Sequence, residues 1–379
     1  MNIENIIKTG LTEGLKTLFG AEIKAEEIVL QSTKKEFEGT FTFTTFSFTK
    51  LTKISPEETG KKLGEYLKEK FPEIAAFNVV KGFLNLVIAD TAWARLFTET
   101  ISKEHFGVFP ANGKKVMVEY SSPNTNKPLH LGHLRNNFLG FSVSEILKAA
   151  GYEVIKANLI NDRGIHICKS MLAYQKLGKN ETPESSGMKG DHLVGKYYVE
   201  FDKMLKAEAT KLKEKGLMSE DEIEKQNPAL IEAQDMLRKW EQGDKEVIDL
   251  WKKMNGWVYS GFDATYEMIG VNFDKRYYES DTYLLGKEIV EEGLQSGAFF
   301  KKENGSVWID LTADGLDEKL LLRADGTSVY ITQDLGTAEL KYKEFGCEKS
   351  IYVVGNEQDY HFNVLKLILK KLNKSYAEG

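Results

Sequence analysis

The segment from Lys115 to Asp162 constrains the fold of this chain more than any other. "KVMVEY" is a short apolar run of strand length, and "YEVIKANLIND" is a second. Between them stand a polar loop, "SSPNTNKPLHLGHLRNN", and the helical run "LGHLRNNFLGFSVSEILKAAG", with Gly151 past its end. Two strands joined through a helix run parallel in one sheet, and the crossover between them is right-handed. The chain is therefore read as an α/β protein with an open parallel sheet. Ligands of such sheets bind at the carboxyl ends of the strands.

Upstream, residues 1–110 read as a separate small α+β domain. Ile3, Ile6, Ile7, Leu11, Leu15 and Leu18 recur at helical spacing. "GTFTFTTFSFTK" alternates Phe and Thr as a half-buried strand does, with a phase slip at Thr44-Thr45 that suggests a bulge or short turn. A helix capped by Ser55, strands in "FNVVKGFLNLVIAD" and an exit helix in "TAWARLFTETISK" follow. "HFGVFPANGKK" carries the breakers of a domain boundary. Residues 111–379 form the parallel-sheet domain, interrupted over about 175–262 by a Lys- and Glu-rich helical insertion whose charge runs are read as solvated helix faces. The βα character returns at "SVWIDLT", "TSVYITQDLGTAEL" and "KSIYVVGNEQDYHFNVLKLIL".

Composition narrows the function. With 41% hydrophobic and 28% charged residues the chain is an ordinary globular protein. A net charge of −6 argues against a generic polyanion binder, though not against a local basic patch. Cys168 and Cys347 make no metal or disulfide pattern, which fits a reducing, cytoplasmic compartment. No apolar run is long enough to span a membrane, and no secretory leader is read at the start.

The loop before the helix carries the chemistry. A helix N-terminus presents unpaired N–H groups and the positive end of the dipole, which suit phosphate. His130 and His133 share one helix face, Gly132 permits close approach to the backbone, and Lys127 stands three residues upstream. Together they can surround a phosphate as charge builds on its oxygens. Two histidines at this spacing without a third ligand are a weak metal signal, so no metal site is assigned.

"HLGH" resembles the HIGH signature of class I aminoacyl-tRNA synthetases and related nucleotidyltransferases, and "VEYSSPNTNKPLHLGHLRNN" resembles its arginyl-tRNA synthetase form. "NLINDRGIHICKS", "GDHLVGKYYVEF", "LLRADGTSVYITQDLGTA" and "YVVGNEQDYHF" resemble further segments of that family, as do "EFEGTFTF" and "GFLNLVI" near the N-terminus. The resemblance spans nearly the whole chain. It implies a Rossmann-type catalytic domain preceded by a domain that contacts tRNA. It also implies ATP as substrate with Mg²⁺ carried on its phosphates, no organic cofactor, and L-arginine and tRNA(Arg) as partners; a monomer is expected, though neither the sequence nor the resemblance fixes the oligomeric state. Lys127, His130 and His133 would be catalytic, and Asn126, His130, Gly132 and His133 would bind ATP. Glu119, Tyr330 and Asp334 would hold the arginine side chain, and Asn124 and Gln358 its amino and carboxylate groups.

A guanidinium is planar and always charged, so a pocket selecting it needs carboxylates in its plane. Glu119 ends the first strand of the sheet, and Asp334, after "SVYIT", is read at the mouth of a later one. Taken singly, Glu119 also fits an exposed strand end and Asp334 a helix cap. Arg135 and Arg163 fit either a brace for the loop or a substrate contact. His361 fits a group near the adenine or a partly buried helix histidine. The family's lysine-rich mobile loop and helical anticodon-binding domain are not found in the sequence, so the chain is read as a fragment, folded but essentially inactive alone. The rival readings are an adenylyltransferase for a small phosphate ester, which has no use for the two carboxylates, and a non-catalytic tRNA-binding protein.

Overall fold

A computed structural model describes residues 2–214, 216 and 219–377. The chain divides into two compact units, Met1–Gly107 and Val108–Gly379.

In the first unit an antiparallel sheet of order β1-β2-β4-β3 is formed by β1 (Leu30–Ser32), β2 (Phe41–Thr44), β3 (Ile74–Val80) and β4 (Phe83–Ile88). Helix Ile3–Phe19 buries Ile3, Ile7, Leu11 and Leu15, one face of the helical repeat, against Leu63 and Leu67 of helix Pro56–Lys70 and Leu84 and Leu86 of β4. Leu18, at the end of the same repeat, stays exposed. Ser55 caps the second helix by accepting from the Glu58 N–H at 3.2 Å. The Phe/Thr alternation does not continue as one strand. β2 stops at Thr44, and Phe46–Phe48 form a 3₁₀ turn. Thr45 explains the break: its N–H donates to the Gly82 carbonyl at 3.1 Å, and its buried hydroxyl lies 2.7 and 2.8 Å from the carbonyls of Pro56 and Gly82. Those bonds tie the chain to the β3–β4 turn and end the ladder.

In the second unit β5 (Lys115–Glu119), β6 (Glu153–Ile160), β7 (Lys275–Tyr278) and β11 (Lys349–Tyr352) make a parallel sheet of order β11-β5-β6-β7. Helix Leu131–Ala149 is the crossover from β5 to β6. Between β6 and β7 the chain is helical, its long helices being Ile165–Leu177, Gly190–Glu214, Pro228–Glu241 and Lys245–Met268. They enclose their own core around Met171, Tyr197, Phe201, Trp240 and Phe262. Charges along Gly190–Glu214 pair within the helix, Lys203 with Glu200, Lys206 with Asp202 and Lys211 with Glu208. Such exposed pairs are the contacts of a solvated face.

The return to βα units after β7 takes a different form from the one the sequence suggests. "SVWIDLT" supplies β9 (Val307–Ile309), the middle strand of a small antiparallel sheet with β8 (Phe300–Lys301) and β10 (Lys319–Leu322), apart from the parallel sheet. "SVYIT" is not a strand: Tyr330–Phe345 is a helix. Its β-branched residues favour a strand locally. Packing overrides that preference, because Ile331 and Leu335, one turn apart, bury together with Ile289, Val364 and Leu365, and the Thr332 hydroxyl donates to the Leu321 carbonyl at 2.5 Å.

Candidate active site

A cleft of about 1710 Å³ opens at the carboxyl ends of the parallel strands. That exceeds the roughly 300–1,000 Å³ of a pocket for one small molecule and leaves room for two ligands side by side. Glu119, Asn124, His130, Gly132, His133, Tyr330, Asp334 and Gln358 all line it.

The histidine side is built locally. After β5 the chain takes two consecutive left-handed residues, Ser121 (φ 77°) and Ser122 (φ 43°), a conformation that costs non-glycine residues about 1–3 kcal/mol each. Three polar side chains hold it. Asn136 accepts from the Ser121 N–H at 2.6 Å, Asn158 from the Ser122 N–H at 3.1 Å, and the Tyr266 hydroxyl meets Ser121 Oγ at 2.7 Å. Asn136 also donates to the Val353 carbonyl, which joins the loop to the end of β11.

His130 then caps the crossover helix. Its Nδ1 accepts from the Gly132 N–H at 3.1 Å, and Nδ1 of His133 accepts from the His130 N–H at 3.2 Å. The rings lie 4.0 Å apart. Because each Nδ1 accepts, each neutral ring carries its proton on Nε2 and has that N–H to give. Burial first, then the charges of His130 and Lys127, push the His133 pKa down to about 4, so His133 is a neutral donor at neutral pH. Gly132 gives the capping ring room. A Cβ there would stand 3.0 Å from Cε1 of His130 and crowd the folded-back ring.

Asn126 and Lys127 are not among the residues that line the cleft. The loop packs instead on helix Gly190–Glu214, where Gly195 gives it room: a Cβ on Gly195 would meet Pro128 at 2.7 Å and the Lys127 Cα at 3.7 Å. Asn126 is consequently buried, and Lys127 acts on the site through its charge on His133.

The carboxylate side is assembled from distant elements. Tyr330 and Asp334, read from sequence at a strand mouth, stand on successive turns of helix Tyr330–Phe345. Asp334 therefore lies inside the helix and does not cap it. Tyr330 is 76% exposed, so its ring is free to meet a ligand. Asp334 Oδ2 lies 2.6 Å from Nε2 of His361, which gives that histidine a role the sequence leaves open. Glu119 ends β5 as expected, but its carboxylate already touches the ammonium of Lys341. Arg163 is a brace: it pairs with Glu241 at 2.7 Å and lies over the Tyr283 ring at 4.0 Å. Gln358 is exposed in a 3₁₀ turn after β11, and Asn124 is bridged to Asn161 beyond β6.

Glu279 is the residue that sequence reading overlooks. It follows β7 directly and lines the same cleft. Burial raises its carboxyl pKa to about 7. Arg163 lowers it, and the charges of Asp162 and Asp334 add to the rise. Its place after a parallel strand, in "KRYYES", is the signal that could have found it. Lys341, Asn136, Asn158 and Tyr266 carry no comparable signal.

The family model described as "tRNA synthetases class I (R), catalytic domain" matches residues 98–378. The arginine–tRNA ligase of Amoebophilus asiaticus (strain 5a2) is 59% identical to this chain over 377 residues, which are 100% of the chain and 63% of that protein. That of Bacteroides fragilis (strain YCH46) is 59% identical over 381 residues, 100% of the chain and 64% of the relative. Among solved structures, Thermus thermophilus arginyl-tRNA synthetase aligns with a TM-score of 0.70 at 22% identity, over 100% of this chain and 64% of its own. The Plasmodium falciparum arginyl-tRNA synthetase aligns at 0.68 and 16%, over 99% and 63%. At those identities the structural likeness speaks for the fold alone. The chain spans about 63–64% of the length of the curated relatives it matches.

Proposed function

The chain belongs to the class I tRNA synthetase (R) family, and on that premise we propose that it carries the arginine- and ATP-binding site of an arginyl-tRNA synthetase. The observation that carries this reading is that Asp334 and Glu279 line one cleft. Burial holds the Glu279 proton on up to about pH 7 despite the nearby charge of Arg163, and the charges of Asp162 and Asp334 add to the rise. A guanidinium answers that arrangement better than any neutral side chain.

On this reading Asp334 and Glu279 grip the guanidinium, Tyr330 covers it, and Asn124 and Gln358 hold the amino and carboxylate groups. Glu119 lies at the base of the same pocket. The arginine carboxylate attacks the α-phosphate of MgATP, the bond to pyrophosphate breaks, and arginyl-adenylate forms. The terminal ribose hydroxyl of tRNA(Arg) then takes the arginyl group and AMP leaves. His130 and His133 donate Nε2–H to the phosphate oxygens as negative charge builds there, with the Lys127 charge behind them. Gly132 and Asn126 serve the shape of the loop. A neutral His133 suits this task, since its proton is in place at neutral pH and need not be transferred.

The finer architecture belongs to the same proposal: residues 111–379 as a Rossmann-type catalytic domain with a helical insertion, and residues 1–110 as a tRNA-contacting domain. Deleting the latter should weaken tRNA binding in a salt-dependent way. No helix among the described residues is long and apolar enough to cross a membrane. The two cysteines are free and buried, as suits a cytoplasmic protein.

Calorimetry with arginine, citrulline and lysine tests the central assignment. Citrulline matches arginine in shape without the charge, so arginine should bind and citrulline should not. Equal affinity for the two would end the reading.

A further inference from the structure

The helix that carries Asp334 also carries Lys341, two turns further along the same face. A lysine is rarely buried without a partner, yet Lys341 is only 4% exposed and Glu119 only 7%. The ammonium touches Glu119 Oε2 and lies 5.5 Å from the centre of the Tyr277 ring and 5.1 Å from that of Tyr352. These partners sit at or near the carboxyl ends of three parallel strands: Glu119 ends β5, Tyr352 ends β11 beside it, and Tyr277 is in β7. Burial works against the lysine's charge, but Glu119, Tyr352 and Asp334 outweigh it and hold its pKa above the ordinary value.

Glu119, Glu279 and Asp334 all line the cleft, and so does Lys341. Three carboxylates around one pocket would attract any cation by charge alone. We propose that Lys341 is a positioning and specificity residue, a resident cation that occupies Glu119 so that an incoming guanidinium meets only the Asp334–Glu279 pair. The inference rests on arginine being the ligand of this cleft. It differs from the simpler expectation in giving Glu119 no direct contact with the substrate. Two carboxylates select a planar, forked cation by geometry, whereas an added free carboxylate serves a point charge such as lysine equally well.

Three variants test this: Lys341→Met, Lys341→Arg and the double variant Glu119→Gln/Lys341→Met. Melting temperature and calorimetric affinities for arginine and lysine are the readouts. Lys341→Met strands a buried carboxylate, so it should lower the melting temperature and narrow the arginine-to-lysine affinity ratio by about tenfold. The double variant removes both charges, which is often tolerated, and should recover most of the melting temperature and the parental ratio, with arginine affinity within about threefold of the parent. Lys341→Arg should keep the ratio. If Lys341→Met does not fold, the double variant decides. Loss of arginine binding by the double variant as complete as in Asp334→Asn would mean that Glu119 touches the substrate, and overturns the proposal. So does a Lys341→Met protein that is less stable but keeps the parental ratio, since the lysine is then structural only. A parent that binds no arginine overturns the reading of the cleft and this inference with it; a parent that binds, with variants that fail the pattern, overturns this inference alone.

Discussion

The histidine side and the carboxylate side of the cleft are built in opposite ways. His130, Gly132 and His133 fall within four consecutive positions, and their geometry follows from one local device, a helix cap in which two imidazoles each accept a backbone N–H. Glu119, Glu279 and Asp334 come from the ends of two strands and from a helix, and two of them have partners from still other positions, the Lys341 ammonium and the His361 imidazole. The difference bears on function. Donors for a phosphate must be held in place before the charge develops, and a cap supplies that rigidity. Groups that grip a cation must be anionic and held close together despite their repulsion, and only convergent packing with counter-charges allows that.

The largest test of the contrast lies on the histidine side. In the protein as it carries out aminoacylation, His133→Ala should slow arginine activation by about 10²–10³, the usual cost of one preorganised donor, with little change in ATP affinity. Pyrophosphate exchange and ATP titration measure the two arms. Normal turnover with lost ATP binding would make this side a ground-state binding device and remove the contrast.

On the carboxylate side the expected effect is smaller and appears in affinity. Asp334→Asn keeps the shape of the side chain and removes its charge. Arginine affinity should fall about 10–100-fold, since a hydrogen bond to a charged group contributes about 1.5–3 kcal/mol. A calorimetric affinity unchanged by the substitution would take Asp334 out of the pocket.

The smallest effect is the most diagnostic. Glu279 is protonated below about pH 7 in the free protein, a rise from its ordinary 4.5 that burial causes. A bound guanidinium favours the ionised form, so arginine binding must displace that proton when the pH is below about 7. Affinity should therefore climb about tenfold per pH unit up to that value and then level off. In the unliganded protein the raised carboxyl contributes stability that is present at low pH and lost as pH rises through about 7, and arginine should restore it. Glu279→Gln should flatten the affinity profile. A parent profile already flat between pH 5.5 and 7 would mean that Glu279 does not meet the ligand.

How far the sequence could be read follows the same division. The β5–helix–β6 crossover, the Ser55 cap and the four apolar residues that the first helix buries were legible, because caps and helical periodicity depend on residues within a turn or two of one another. So was the gathering of His130, Gly132 and His133 at a helix start. Tertiary structure decided the rest. "SVYIT" has the residues of a strand, and it is a helix because Ile331 and Leu335 find a core among residues far along the chain. Asn126 and Lys127 leave the cleft because Gly195, on another helix, lets their loop fold against it. The Glu119–Lys341 contact, the Asp334–His361 contact and the raised pKa of Glu279 depend on which side chains arrive opposite one another and on how much water they lose there. No interval of sequence encodes either quantity, because both are set only when separate elements close on a common core.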